Sequence, residues 1–190
     1  VLIASTRPGR VGFPVAQWFS AHATEHGGFS VDVADLAAIG LPLLDEPNHP
    51  RVRNYTHQHT LDWSARVDAA DAFAFVTPEY NHGPSAALIN ALSYLHQEWR
   101  YKPAGFVSYG GISAGTRGVE VAKTIVTTLD IVVVSPAVSI PFVQQFLDDE
   151  GRIAPNELMS GAATTMLDEL VRVEAALRPL RQATQLPAGN

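Results

Sequence analysis

The 190-residue sequence predicts a single α/β domain built on a doubly wound, five-stranded parallel sheet. Short apolar runs alternate along the chain with stretches whose apolar residues recur at helical spacing, and a parallel crossover needs such an intervening helix. The runs at 72–76 and 131–134 are also nearly unbroken, as in strands buried on both faces.

The residues from Val1 to Ser5 form the first predicted strand, and Thr6-Arg7-Pro8-Gly9-Arg10 must be a loop because Pro8 and Gly9 oppose helix. Val15, Trp18, Phe19 and Ala23 then mark a helix that Gly27-Gly28 ends. Phe29 to Val33 reads as the second strand, and the Pro-rich stretch 35–53 as an irregular crossing that buries Leu41, Leu43 and Leu44. A helix over 56–70 leads to the third strand, from Ala72 to Val76, cut off by Thr77-Pro78. Ser85 is placed to N-cap a helix that runs through Leu88, Leu92 and Leu95 to Trp99. Pro103 to Tyr109 is the fourth strand, closed by Gly110-Gly111. A helix over 114–129 precedes the β-branched fifth strand from Ile131 to Val134. A long amphipathic helix over 156–180 completes a domain expected to span 1–184, with a frayed tail over 185–190.

Composition narrows the function. With 46% hydrophobic and 17% charged residues the chain can bury a core without staples. The absence of Cys excludes a disulfide framework, a thiolate nucleophile, an Fe–S cluster and a Cys-based zinc site, and fits a reducing cytoplasm. A net charge of −6 argues against a broad nucleic-acid footprint, and no run approaches the roughly 20 apolar residues of a membrane span. G-x-S-x-G is absent, so an α/β-hydrolase lacks its nucleophile elbow. His57 and His59 fall two apart on a predicted helix, where they would not share a face, which disfavours a metal site there. Val1 already stands within an apolar run, so the natural chain is expected to begin further upstream.

In a doubly wound sheet, ligands bind beyond the carboxyl ends of the strands. Three loops lie there. The first, Ser5-Thr6-Arg7-Pro8-Gly9-Arg10, offers hydroxyls, guanidinium groups and backbone donors at a helix start, which suits a phosphate. Neither G-x-G-x-x-G nor a triphosphate loop is present, so a terminal monophosphate fits best. The second loop, from Thr77 to Pro84, is rich in aromatic and hydrogen-bonding groups. The third, Ser108-Tyr109-Gly110-Gly111-Ile112-Ser113, has glycines that let a flat ligand approach the backbone. Singly, each also reads as ordinary turn chemistry; together they suit a planar heteroaromatic ring bearing a phosphate.

Ala4-Ser5-Thr6-Arg7-Pro8-Gly9-Arg10, Thr77-Pro78-Glu79-Tyr80-Asn81-His82-Gly83 and Ser108-Tyr109-Gly110-Gly111, followed by Ser113-Ala114-Gly115-Thr116-Arg117, resemble the flavodoxin-like NADPH-dependent FMN reductase family over nearly the whole chain. The resemblance implies the strand order 2-1-3-4-5 and non-covalent FMN. It implies a ping-pong transfer of hydride from NADPH or NADH through flavin N5 to a small acceptor: free flavin, a quinone, an azo compound or a metal oxyanion. Ser5, Arg7 and Arg10 would hold the phosphate, with Thr6 nearby. Pro78, Glu79, Tyr80 and Asn81 would border the isoalloxazine, and Ser108, Tyr109, Gly110, Gly111 and Ser113 its other polar edge. No side chain need be catalytic, with Tyr80 and His82 near the substrate. Arg117 and Lys102 are candidates for a 2′-phosphate of NADPH. The resemblance further implies a homodimer or homotetramer, while charge, hydropathy and residue spacing lead to the expectation of no nucleic-acid or membrane partner and no metal. Ala4 and Ile89 depart from the Gly and Lys frequent in the family. The alternatives are an FMN-holding electron carrier without pyridine-nucleotide activity, and a family member that has lost the flavin.

Overall fold

The structure is a computed structural model that describes residues 1–185. Its sheet is built from β1 (Leu2–Ile3), β2 (Ala34–Asp35), β3 (Phe73–Pro78), β4 (Pro103–Tyr109) and β5 (Val132–Val133), in the order β2-β1-β3-β4-β5. Every pairing between these named strands is parallel. A sixth strand, β6 (Val138–Ile140), joins the outer edge of β4 beyond β5. The helices are α1 (Gly12–His26), α2 (Leu36–Ile39), α3 (Gln58–Ala69), α4 (Ala86–Ser93), α5 (Thr116–Thr127) and α6 (Glu157–Gln185). This is the flavodoxin-like order expected from the resemblance.

All residues of β3 and β4 are buried, because helices cover both sheet faces and the alternating side chains of each strand feed two cores. Phe73, Phe75, Ala104 and Phe106 face α3, α4 and α5, where Trp99 packs edge-on to Trp63 and Phe73 at centroid distances of 5.9 and 4.9 Å. Ala74, Val76, Val107 and Tyr109 face α1 and α6, with Phe19 and Met166 at the centre. A Cβ at Gly105 would lie 2.6 Å from Met166 Sδ, so that glycine is what lets α6 close on β4.

Several boundaries differ from expectation. The second strand is Ala34–Asp35 rather than Phe29 to Val33. Phe29 and Val31 are half-buried against the α1 and α6 side, while the ladder starts only where Ala34 N donates to Val1 O at 2.8 Å. Asp35 then N-caps α2, accepting from Ala37 N, where an irregular crossing was expected. Leu43 and Leu44 are exposed, and only Leu41 of the three leucines packs on the core. β3 runs on through Thr77 and Pro78, since proline lacks a donor only at the strand's last position. Ser85 caps α4, with Oγ accepting from Leu88 N, but the helix ends at Ser93. The chain then forms a 3-10 turn over Gln97–Trp99 that buries Glu98 completely, where Tyr55 and Ser64 hydroxyls and His96 N donate to its carboxylate. α5 is shorter at both ends than 114–129, and β5 covers only two of the four expected residues. α6 extends past Leu180 to Gln185, and the remainder of the expected tail, 186–190, lies outside the described residues. His57 is the N-cap of α3 rather than a helical residue, so its ring stacks on His59 at 5.2 Å, contrary to the expectation that the two would diverge.

Candidate functional site

The registers Ile3↔Val76 and Pro78↔Tyr109 align the carboxyl ends of β1, β3 and β4, so their three following loops meet at one edge. They enclose a cavity of about 400 Å³ lined by Arg7, Arg10, Val11, Pro78, Glu79, Tyr80, Tyr109, Gly110, Gly111 and the segment 142–145. Eight of the sequence-derived candidates therefore share one space. Ser5, Thr6, Asn81, His82, Ser108 and Ser113 stand in the same loops but not in the cavity wall.

The first loop turns between Arg7 and Arg10, where Arg10 N donates to Arg7 O at 3.2 Å and Gly9 adopts φ +70°, as a Pro-Gly centre of a tight turn requires. The turn delivers the chain to α1, whose first turn has neither a side-chain cap nor an acidic residue. Its leading N–H groups thus have no side-chain partner, and the positive end of the helix faces the loop. Beside it, Ser5 Oγ is wholly buried and Tyr109 Oη nearly so, and neither has a hydrogen-bond partner. A Cβ at Gly12 would overlap both oxygens. Burial pushes the Tyr109 phenol up to about 12, so it remains a donor at neutral pH.

The two arginines of this loop differ. Arg10 forms a bidentate pair with Asp35 at 2.5 and 2.6 Å and also donates to Ser5 O at 2.5 Å. That hydrogen-bonded pairing raises Arg10 and holds Asp35 below the usual carboxylate range. Arg7 is exposed, and its guanidinium has no hydrogen bond or ion pair among the described residues. Of the two guanidinium groups that line the cavity, only that of Arg7 is uncommitted.

In the second loop, Tyr80 and Gly83 exchange backbone hydrogen bonds of 2.9 Å each, and Asn81 and His82 between them have φ of +51° and +65°. This is a two-residue hairpin, whose turn needs positive φ at both central positions. It leaves Tyr80 exposed at the cavity, while Glu79, also in the wall, commits its carboxylate to the start of α5. The Glu79 carboxylate accepts from Ser113 Oγ at 3.2 Å, Arg117 N at 3.1 Å, Gly118 N at 3.3 Å and Arg117 Nε at 2.6 Å. Burial alone would raise this carboxyl, but Arg117 and the helix amides hold it below its ordinary value. Glu79 thus does for α5 what Gly115, its side-chain-less N-cap, cannot. Gly118 permits the contact, since a Cβ there would lie 2.9 Å from Gly83 O. Arg117 is engaged by Glu79. Lys102 donates to Val67 O and Asp68 O at the far end of the sheet, so neither candidate for a 2′-phosphate is presented to the cavity as expected.

The segment 142–145, Gly12, Gly118 and Asp35 were not singled out by the sequence. Val138 and Ile140, β-branched residues alternating about Ser139 just before Pro141, carried the signal that could have placed 142–145 beside the third loop. A larger cavity, about 710 Å³, opens at the opposite end of the sheet. Its arginines are committed, Arg66 to Asp32 and Arg178 to Glu174. Among the described residues no cluster of three or more His, Asp or Glu side chains fits a metal ion, and no helix is long and apolar enough to cross a membrane.

A doubly wound parallel sheet in this strand order, with an open helix N-terminus and two loops bordering a cavity at its carboxyl edge, defines a protein of flavodoxin-like fold. The pattern of the NADPH-dependent FMN reductase family matches residues 1–145, and the chain belongs to that family. It is 38% identical over 117 residues to an NAD(P)H-dependent FMN reductase of Schizosaccharomyces pombe, a match that covers 60% of this chain and 58% of that protein. An NAD(P)H-dependent FMN reductase of a Nectria species is 28% identical over 148 residues, covering 75% and 74%. Among solved structures, FerB, a flavoenzyme NAD(P)H:(acceptor) oxidoreductase of Paracoccus denitrificans, superposes with a TM-score of 0.73 at 18% identity over 92% of this chain and 95% of its own. An oxidoreductase of Corynebacterium diphtheriae gives 0.67 at 14% identity over 92% and 94%. These superpositions establish the shared fold.

Proposed function

We propose that the chain binds FMN in the 400 Å³ cavity and acts as an NAD(P)H-dependent reductase of a small acceptor, with donor and acceptor using the site in turn. The observation that carries this reading is the uncapped start of α1 flanked by the two unpartnered hydroxyls of Ser5 and Tyr109, a cradle that Gly12 keeps clear. Those donors suit the oxygens of a phosphate monoester, and Arg7 supplies the charge. Arg10 acts through Asp35, fixing the loop rather than meeting the phosphate. Pro78, Tyr80, Gly110 and Gly111 border the space for the ring system, and Gly111 has open room where a Cβ would stand. Bound there, the flavin supplies the hydride-accepting and electron-releasing chemistry. The protein positions it, and Tyr80 is exposed beside whatever reactant enters next.

Anaerobic spectroscopy tests the reading. The protein titrated with FMN should show a bound-flavin spectrum that NADPH or NADH bleaches. Arg7→Ala should weaken FMN about 10- to 100-fold, the worth of one charge-assisted hydrogen bond, and Arg10→Ala less. Failure to bind FMN would refute the assignment, whereas bound flavin that neither nucleotide bleaches would mark an electron carrier.

A further inference from the structure

We propose that Phe142 is a specificity-determining residue of this site, an aromatic wall held at the cavity by a strained backbone so that planar aromatic acceptors are preferred over compact inorganic ones. The inference rests on reading the cavity as the flavin site.

Phe142 has φ +47° and ψ +48°, a left-handed conformation that Asn81 and His82 tolerate better than a bulky hydrocarbon residue does. The fold has no packing reason to demand phenylalanine here, because 48% of the residue remains exposed. The hydrophobic anchors lie on either side of it. Ile140 is completely buried and Val143 nearly so, both in the core shared with α1 and α6. Between these anchors, three backbone hydrogen bonds fasten the segment to the third loop. Gly110 N donates to Ile140 O at 3.2 Å, and Phe142 N and Val143 N donate to Gly111 O and Gly110 O at 3.1 Å each. The same two glycines border the space assigned to the flavin ring system. A half-exposed aromatic residue is thus clamped in an unfavourable conformation against the very backbone that borders the cavity, and such strain persists where a site over-determines it.

The residues that follow it in the wall, Val143, Gln144 and Gln145, are uncharged, and the cavity border also carries the exposed ring of Tyr80. A planar aromatic molecule gains from stacking or edge contact with rings bordering its entry, and a compact polyanion does not. The segment reaches the cavity through β6, which places it next to the third loop although about thirty residues separate them in the chain.

The test compares the FMN-loaded protein with its Phe142→Gly and Phe142→Tyr variants, using NADPH with 2-methyl-1,4-naphthoquinone or with ferricyanide as acceptor. FMN affinity and thermal midpoint are measured first. Phe142→Gly should unfold at the same or a higher temperature, because glycine takes this φ without penalty. Its ratio of naphthoquinone kcat/KM to ferricyanide kcat/KM should fall about tenfold, mainly through the quinone KM, and Phe142→Tyr should restore the ratio. Equal changes with both acceptors, no change with either, or a loss of FMN affinity in Phe142→Gly would overturn the role of Phe142 alone. Failure of the parent protein to take up FMN, seen before any acceptor is added, would overturn the flavin reading itself.

Discussion

Replacing Glu79 should loosen two loops at once, and the expected size follows from its partners. The carboxylate is only 6% exposed and accepts from two first-turn amides of α5, one hydroxyl and one guanidinium. Loss of an N-capping acceptor costs about 1 kcal/mol, within a range of roughly 0.5 to 2. The partner Arg117 is 49% exposed, which limits the ion pair to about 1 kcal/mol or less. Glu79→Ala should therefore lower the unfolding free energy by about 2 kcal/mol, and Glu79→Gln by about 1 kcal/mol, since the amide oxygen still accepts. Because the folded state holds this carboxyl below its ordinary value, the charge stabilises above the unfolded-state pKa. That contribution disappears as pH falls through the lower, folded-state value. Urea unfolding of parent and Glu79→Gln at stepped pH should thus show a gap that is constant near neutrality and closes in acid. A gap that persists unchanged once Glu79 is protonated, or that is absent at neutral pH, would refute the electrostatic part of the cap, and Glu79→Ala as stable as the parent would refute the capping itself.

Gly12→Ala should abolish FMN uptake and cost about 1–3 kcal/mol, because the added methyl displaces Ser5 Oγ and Tyr109 Oη; undiminished uptake in a flavin titration would remove the phosphate cradle from the first loop. Lys102 should produce a separate alkaline effect in which, unlike at Glu79, the charged form is the destabilising one. Burial brings its ammonium down to about 8, below its unfolded value, so the folded chain releases this proton first. Stability relative to Lys102→Met should then rise between about pH 8 and pH 10.5, by at most about 3 kcal/mol. A difference that is flat across this window in denaturant titrations would contradict the burial effect.

Much of the sheet was legible because its central strands need no help from their neighbours to be recognised. Pro103 to Tyr109 is an apolar run bounded by a proline and two glycines, and its bounds match β4. Ser85 was legible as a cap because its hydroxyl chemistry is local. β2 was misplaced because an edge ladder of two residues leaves no alternation of its own, whereas Phe29 and Val31 imitate one while packing on helices. The loops carrying Arg7, Tyr80 and Gly110 could be found by their chemistry. The orientation of their side chains could not, since Arg10 turns to Asp35, 25 residues away, and Glu79 to Arg117, 38 residues away. Phe142 was invisible for a related reason. Its importance arises from φ and from β6 pairing, neither of which is written in residue type alone.

At the outer edge of β4 the two short strands β5 and β6 share one side of a single partner. β5 is registered against Pro103 and Ala104, and β6 against Val107, Ser108 and Tyr109. The break between them, around Ser135 and Pro136, separates inheritance of the base from inheritance of the rim. Insertions or substitutions near that break can re-aim residues 141–145 while the lower strand keeps its register. The shape of the cavity's edge is thereby separable from the pairing that holds the base of the sheet.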